Sequence, residues 1–221
     1  MKATVSLALS CAAIALSLEA NAIEPHSYTY IEGGYLESTI ETGLNLAKDS
    51  TIESDGYSLA ASYRSENGLL LQGYYNDAEA DSFLGESTNS LGIDVDTRYI
   101  GILVGAAHQV SERGSFYTGV GYGITRLDAD DGISSENVDI RELSLVVGGR
   151  YTLVRMLELE ASIKAIHYNS PEEDLDFSDN DGIATIGLRF QPINALSFGI
   201  YYAAALDSDI DEARANIRWQ F

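Results

Sequence analysis

The side chains best suited to acid–base chemistry at neutral pH are three histidines: His26, His108 and His167. Only His167 precedes a nucleophile and a carboxylate, because Ser170 and Asp174 follow it closely. A hydrolase would use Ser170 as nucleophile and His167 as base, with Asp174 orienting the imidazole. His167 shares its strand face with apolar residues, however, and its neighbour Tyr168 suits a membrane-interface aromatic belt. We therefore predict a non-catalytic protein, with a lipid-modifying enzyme as the less favoured alternative.

Acidic residues are concentrated in two stretches that offer oxygen ligands to hard cations such as Ca²⁺ or Mg²⁺. These stretches are DADDG at 128–132 and EEDLDFSDND at 172–181. Neither fits the twelve-residue calcium loop, because its glycine and its final glutamate are not both in place. The sequence therefore predicts a weak, diffuse attraction for divalent cations, and neither a specific metal site nor a cofactor.

Further charged residues occupy every second position of otherwise apolar segments. They are Arg64, Glu142, Arg150, Glu158, Glu160, Lys164, Arg189, Arg214 and Arg218. Charges at such positions are tolerable only in an occluded interior where acids and bases pair. We predict that they form a charge network that largely fills the lumen of a narrow barrel. Four glycines have the same parity: Gly119, Gly121, Gly123 and Gly187. They could line a slim channel, but we favour the alternative that they make room for large neighbouring side chains.

The segments themselves show the period-two alternation of β-strands with one apolar face. The predicted strands are 27–37, 55–65, 68–77, 95–110, 115–128, 138–152, 155–168, 182–191, 195–206 and 211–221. The facing of 95–110 stays open, because Ile100, Ile102 and Val104 share parity with Arg98 and His108. The predicted fold is all-β, a transmembrane antiparallel up-and-down barrel of about ten strands, with eight as the alternative. A soluble lipocalin-like barrel is the structural runner-up.

The connections alternate between long acidic stretches and short turns. The long ones lie near 38–54, 78–94, 129–137 and 169–181, and the short ones include SENG, SERGS and QPINA. This regularity is typical of outer-membrane barrels, whose loops are long on one side and tight on the other. The acid is therefore expected at one rim.

The first 22 residues have the pattern of a secretory signal peptide. A lysine precedes an apolar run that ends in Ala20-Asn21-Ala22, so cleavage is expected after Ala22, with Ala20 and Ala22 as the small residues of the site. The barrel domain would then be 23–221. The one cysteine, Cys11, leaves with the signal peptide, so disulfides and thiolate chemistry are excluded from the mature chain. The net charge of −21 makes nucleic acid a poor partner.

The alternation continues to the last residue, with Ile217, Trp219 and Phe221 on one face. This pattern resembles the assembly signal that outer-membrane barrels present to the barrel-insertion machinery. The stretches HSYTYIEGGYLES and ESDGYSLAASYR, in the first two predicted strands at roughly residues 27–64, resemble a family of small outer-membrane proteins once named for activating plant immunity. That resemblance, in the OmpX/porin-like superfamily of Gram-negative bacteria, implies a barrel-forming surface protein and supplies no catalytic residues.

These observations together predict an integral protein of the cell outer membrane with a structural or surface-interaction role. The expected partners are outer-membrane lipid, including lipopolysaccharide, and the barrel-assembly machinery during insertion. Acidic loops and lipid phosphates could share bridging divalent ions. A narrow porin-like channel for small solutes is the main alternative function. The sequence leaves the oligomeric state open.

Overall fold

A computed structural model of the chain describes residues 27–41, 51–83, 86–88, 92, 94–130, 132–169, 178–208 and 210–221. The signal-peptide prediction, with Ala20 and Ala22, lies outside these residues, as does His26. The strands are β1 (Tyr30–Glu41), β2 (Thr51–Arg64), β3 (Leu69–Phe83), β4 (Glu86–Ser87), β5 (Asp94–Ser111), β6 (Gly114–Asp130), β7 (Ser135–Val154), β8 (Leu157–Asn169), β9 (Ser178–Ile193), β10 (Leu196–Ala205) and β11 (Ile210–Gln220).

Ten of these strands form a closed antiparallel barrel. Each pairs with its neighbour along the chain, and β1 pairs with β11 to complete the circle. The two-residue strand β4 pairs only with the end of β3, so β3 and β5 are neighbours in the barrel wall. Closure leaves no free sheet edge, which satisfies the backbone hydrogen bonds of every wall strand. The prediction of a ten-stranded barrel is confirmed, and the eight-stranded alternative is excluded.

None of the described segments is a helix with the length and apolarity needed to cross a membrane.

Several strands are longer than predicted, and the connections at one end are correspondingly shorter. For example, β6 continues to Asp130 and β7 begins at Ser135, so the predicted long connection 129–137 is reduced to 131–134. Backbone pairing continues past the apolar segment because ladder hydrogen bonds do not depend on side-chain polarity. We call this end of the barrel the loop end. The opposite end, with short connections such as 112–113 and 155–156, is the turn end.

The outer wall of the barrel is apolar. Exposed aliphatic side chains from every part of the circle form the band, among them Leu59, Ile102, Val120, Leu145, Ile163, Ile186 and Ile200. In β5, Ile102 is 48% exposed whereas Leu103 is 3% exposed, so the facing that the sequence left open is now assigned: Ile100, Ile102 and Val104 point outward. Arg98 and His108 share that face near opposite ends of the strand, on either side of the aliphatic residues.

Aromatic side chains border the band at both ends, as the girdles of membrane barrels do. The loop end has Tyr35, Tyr57, Tyr75 and Tyr202, and the turn end has Tyr63, Phe116, Tyr151 and Phe190. At the loop end, the hydroxyl groups of Tyr57 and Tyr75 donate to Asp77 at 2.7 and 3.0 Å. The girdle tyrosines thus mark the level at which the wall changes from apolar to acidic.

Candidate functional site

The turn half of the lumen is filled by an ion-paired cluster that we call the lumen plug: Tyr28, Tyr30, Glu32, Arg150, Glu158, Glu160, Arg189 and Arg218. All eight side chains point inward, because inward and outward positions alternate along each strand. Arg189 and Arg218 are 1% and 3% exposed, although each carries a full charge. Burial of that kind requires counter-charges within hydrogen-bonding distance.

Glu32 of β1 provides the first of these counter-charges. Its Oε2 accepts hydrogen bonds from Arg218 Nε at 2.6 Å and from Arg189 Nη2 at 2.9 Å. Its Oε1 accepts a hydrogen bond from Asn216 Nδ2 at 2.9 Å. Arg189 belongs to β9, which is separated from β1 by β10 and β11 in the wall. The Glu32–Arg189 contact therefore joins two strands that are not neighbours in the wall and extends into the lumen.

Glu160 of β8 is the second counter-charge of the lumen plug. Its Oε1 lies 3.4 Å from Arg150 Nε, and its Oε2 lies 3.9 Å from Arg218 Nη2 and 4.0 Å from Arg189 Nη2. The hydroxyl of Tyr201 donates to Glu160 Oε2 at 2.9 Å and also contacts Arg189 Nη2. Each of the three arginines thus has at least one carboxylate within 4.0 Å.

Tyrosine rings cover the guanidinium planes of the lumen plug. Arg218 lies over the Tyr30 ring at 3.7 Å, and Arg150 lies over the Tyr28 ring at 4.2 Å. Stacking of this kind stabilises a desolvated guanidinium while its edges bond to carboxylates. Tyr28 is 1% exposed, and its hydroxyl bonds to Ser115 Oγ at 3.0 Å. Both rings thus pack against the ion pairs in the turn half of the lumen.

The strand register explains why these charges meet. Three acid–base pairs occupy directly opposite positions on neighbouring strands: Glu32 with Arg218, Glu160 with Arg150, and Glu158 with Arg189. Side chains directly opposite on one face of an antiparallel pair lie about 5 Å apart at Cβ. The sequence therefore encodes the pairs locally, and the narrow lumen brings them together into one cluster.

The loop half of the lumen is more open and contains a cavity of about 270 Å³ above Tyr30, Glu32 and Arg218. A second set of ion pairs lines its wall. Lys164 Nζ lies 2.5 Å from Glu142 Oε1, which also accepts a hydrogen bond from the Tyr99 hydroxyl at 2.9 Å. Nearby, Arg214 pairs with Glu212 of the same strand. The Lys164 side chain is 26% exposed, so charges become more hydrated from the turn half toward the loop end.

Inward glycines make room for the lumen tyrosines. A Cβ atom on Gly187 would collide with the ring of Tyr201, and one on Gly123 would lie 2.6 Å from the ring of Tyr99. Since strand glycines otherwise weaken a sheet, this close approach accounts for their presence. At Gly187 and Gly123, therefore, the missing side chain makes room for a large neighbour.

Comparison with known proteins places this architecture in a family. The family model described as "Outer membrane protein beta-barrel domain" matches residues 8–190. The chain belongs to this family. It is accordingly a protein of the cell outer membrane, whose barrels have short turns at the periplasmic side and longer loops at the extracellular side. No curated protein matches the chain at significant similarity.

Solved structures share the barrel fold at low sequence identity. The translocator domain of the autotransporter NalP from Neisseria meningitidis is 9% identical with a TM-score of 0.50, covering 100% of this chain and 96% of that one. Neisserial surface protein A is 14% identical with a TM-score of 0.48, covering 88% and 98%. Ail, the attachment invasion locus protein of Yersinia pestis, is 18% identical with a TM-score of 0.43, covering 87% and 97%. At these identities the likeness shows the fold alone.

The nine residues predicted for the lumen network all occupy inward positions of this outer-membrane barrel. The structure brings Arg150, Glu158, Glu160, Arg189 and Arg218 together in the lumen plug and places Glu142, Lys164 and Arg214 around the cavity. Arg64 Nε donates to the carbonyl of Ala107 at 3.2 Å.

The sequence reasoning missed Glu32, the acid that accepts hydrogen bonds from two arginines. A usable signal was available, because Tyr28, Tyr30 and Glu32 alternate with the outward positions of the first strand. Pairing of the first and last strands, which the sequence also indicated, places Glu32 directly opposite Arg218.

Other predicted residues lie on the outer wall of this outer-membrane barrel or outside the described part. Ile217 is exposed on the outward face, in line with Trp219 and Phe221. His167 also faces outward, and its Nδ1 lies 3.0 Å from Asn180 Oδ1.

Ser170 and Asp174, proposed partners of His167, lie outside the described residues, as does most of the acidic stretch 172–181. Among the described residues, no three His, Cys, Asp or Glu side chains are grouped as metal ligands.

Proposed function

We propose that this outer-membrane barrel is a non-conducting, non-catalytic envelope protein with a structural or surface-interaction role exerted at its loop end. The observation that supports this proposal is the lumen plug, in which Glu32 is bonded to Arg189 across the lumen. Opening a continuous water-filled path along the lumen would separate the charges of Glu32 and Arg189 in a site that is shielded from water. Breaking a buried pair in that way costs several kcal/mol.

The surface available to partners is then the loop end, where the wall becomes acidic above the girdle tyrosines. Carboxylates such as Asp77 accept hydrogen bonds from those tyrosines and are held at the membrane boundary. Acidic surfaces attract cations and basic partners, and they repel surfaces of like charge. We propose weak, non-selective association of Ca²⁺ or Mg²⁺ with this surface.

Conductance in planar bilayers tests the proposal. The folded barrel should give no stable single-channel steps under applied voltage, because the lumen plug blocks the turn half. Replacing both acids, Glu32→Ala with Glu160→Ala, should produce ion conductance, since the arginines lose their counter-charges and side-chain volume is removed. A matched control is Glu37→Ala with Glu53→Ala, which removes two exposed acids from the loop end and should leave the barrel closed.

A narrow channel is the second candidate, and the cavity of about 270 Å³ in the loop half favours it. Steady conductance of the unmodified barrel, unaffected by the Glu32→Ala and Glu160→Ala replacements, would support the channel and contradict the closed lumen.

A further inference from the structure

Outward-facing charges just beyond the apolar band differ between two sides of the barrel. On β1, β2, β3 and β11, the first charged outward residue toward the loop end is acidic: Glu37, Asp55, Asp77 and Asp211. On β5, β6 and β7 it is arginine: Arg98, Arg126 and Arg141. We call these three residues the arginine tier. Within the described part of the chain, they are the only outward arginine or lysine residues in the loop half.

The arginine tier has the same sequence of layers on each of its strands. An aliphatic residue of the band comes first, Ile100, Ile124 or Leu143; the arginine follows two positions on; and an aspartate, Asp96, Asp128 or Asp139, follows after two more. Residues two apart on a strand lie on the same face. The guanidinium groups therefore lie between the apolar band and an outer layer of carboxylates.

Strand register places the three arginines in one patch. Arg98 and Arg126 are directly opposite in the β5–β6 pair. Arg141 is opposite Ile124 in the β6–β7 pair, one diagonal step from Arg126. Like charges directly opposite on a sheet destabilise it unless an anion lies between them. The arrangement is thus suited to an anion that contacts more than one strand.

The arginine tier retains unused hydrogen-bond donors. The carboxylates nearest to Arg98 lie 3.7 to 3.9 Å away, longer than a hydrogen bond. Arg141 is exposed and forms no hydrogen bond or ion pair with other residues that the structure describes. Arg126 alone is engaged, donating to both oxygens of Asp139 at 2.8 and 3.0 Å. These bonds hold the pKa of Asp139, which lies beyond the apolar band, below its usual range.

From this geometry we propose that the arginine tier binds the phosphate of an outer-leaflet lipid headgroup, with the acyl chains of that lipid packed on the band below. Two observations select a lipid over a free anion. The patch is continuous with the apolar surface of Ile100, Ile124 and Leu143, and the aspartate layer above it disfavours approach of an anion from solution. Guanidinium groups bind phosphate oxygens through paired N–H donors. The inference is independent of whether the lumen conducts.

Binding of diphosphoryl lipid A to the folded, full-length mature barrel in detergent micelles tests this inference. Arg98→Gln with Arg141→Gln removes the two arginines with unused donors and preserves the Arg126–Asp139 pair. This variant should bind diphosphoryl lipid A about tenfold more weakly, because charge-assisted hydrogen bonds are lost. Arg113→Gln with Arg155→Gln removes two exposed charges from the turn end and should bind as the unmodified barrel does. Heat-modifiable gel migration verifies that each variant is folded.

Three further arms identify the ligand chemistry. Dephosphorylated lipid A should bind weakly and equally to all variants, and inorganic phosphate should not compete at millimolar concentration. Binding should persist in EDTA, because direct guanidinium contacts need no bridging cation. Equal lipid A affinity in the tier variant and the turn-end control would overturn the inference, as would complete loss of binding in EDTA.

Discussion

Glu32 is the residue on which the lumen plug most depends. One carboxylate accepts hydrogen bonds from two guanidinium groups and one amide, contributed by β9 and β11. Glu32 is closer to both arginines than Glu160 is, since Glu160 lies at 3.9 Å or more from Arg189 and Arg218. The remaining hydrogen bonds of Arg189 are to neutral hydroxyl groups of Ser197 and Tyr201.

We expect Glu32→Ala to lower the free energy of unfolding by about 3–5 kcal/mol, because it leaves two buried arginines without their closest carboxylate. Urea unfolding of the barrel in lipid vesicles measures the change. Glu37→Ala is the control, since Glu37 lies on the same strand but is exposed on its outward face, and its effect should stay within about 0.5 kcal/mol. Equal effects of the two substitutions would show that the lumen plug is not stabilised by this pair.

Gly187→Val tests the close approach of Tyr201 to the wall. The added side chain would displace the tyrosine ring from its contacts with Arg189 and Glu160, and overpacking typically costs about 1–3 kcal/mol. Gly73→Val is the matched control, because nothing lies within 4 Å of a Cβ at that outward position. Unfolding free energies compare the two variants, and a Gly73 variant as unstable as the Gly187 variant would contradict the packing argument.

At the scale of elements, each strand performs two tasks with its two faces. β11 shows the division most clearly, since Asn216 and Arg218 enter the lumen whereas Ile217 and Trp219 belong to the outer wall. Substitutions on one face should therefore affect one task and spare the other. We expect the inward face to determine whether the lumen is closed, and the outward face at the turn end to determine recognition during insertion.

Phe221→Ala should slow insertion into proteoliposomes that contain the barrel-assembly machinery, while changing the stability of the folded barrel little. The physical reason is that the predicted assembly signal, Ile217 with Trp219 and Phe221, acts before the barrel has closed. Phe190→Ala removes an exposed aromatic of the same girdle from β9 and is the control. Insertion kinetics, followed by heat-modifiable migration, distinguish the variants; the prediction is wrong if both slow equally.

Sequence periodicity was sufficient to locate all ten wall strands, because a membrane barrel must keep one face apolar wherever lipid contacts it. It did not determine strand ends, since side-chain polarity changes at the membrane boundary while backbone pairing continues, as in β6 and β7. The facing of β5 was ambiguous for a related reason. Arg98 and His108 have the parity of the aliphatic residues but lie near opposite ends of the strand.

The parity of the sequence also predicted which charged side chains point inward. It did not predict which of these side chains pair with one another. Partners such as Glu32 and Arg189 are separated by 157 positions and meet only because closure of the wall brings β1 close to β9, with β10 and β11 between them. The arginine tier depends on register in the same way. Arg98, Arg126 and Arg141 form a patch only when the pairing of β5, β6 and β7 is known.

At the scale of the whole molecule, a net charge of −21 is distributed unevenly. The lumen plug balances acids with bases, so most of the excess acid lies at the loop end or in parts of the chain outside the described residues. Self-repulsion of this kind destabilises the compact state and is screened by salt. The molecule should therefore respond to ions mainly through its extracellular rim.

We expect CaCl₂ and MgCl₂ to raise the midpoint of thermal unfolding by the same amount, with half of the effect reached in the millimolar range and reversed by EDTA. The reason is diffuse neutralisation of carboxylates rather than ligation in a fitted site. Scanning calorimetry in detergent, with NaCl at equal ionic strength as the control, provides the measurement. A rise produced by micromolar Ca²⁺ alone would indicate a specific calcium site and refute the diffuse mechanism.

The Glu32–Arg218 pair also favours one alignment of β1 with β11. A slip of one residue between β1 and β11 would turn Arg218 toward lipid and Trp219 toward the lumen. An arginine in the hydrocarbon layer and a buried carboxylate without its partner each cost several kcal/mol. A register shifted by one residue therefore satisfies neither face of the last strand. The ion pairs in the lumen thus disfavour closure of the barrel in a register that is shifted by one residue.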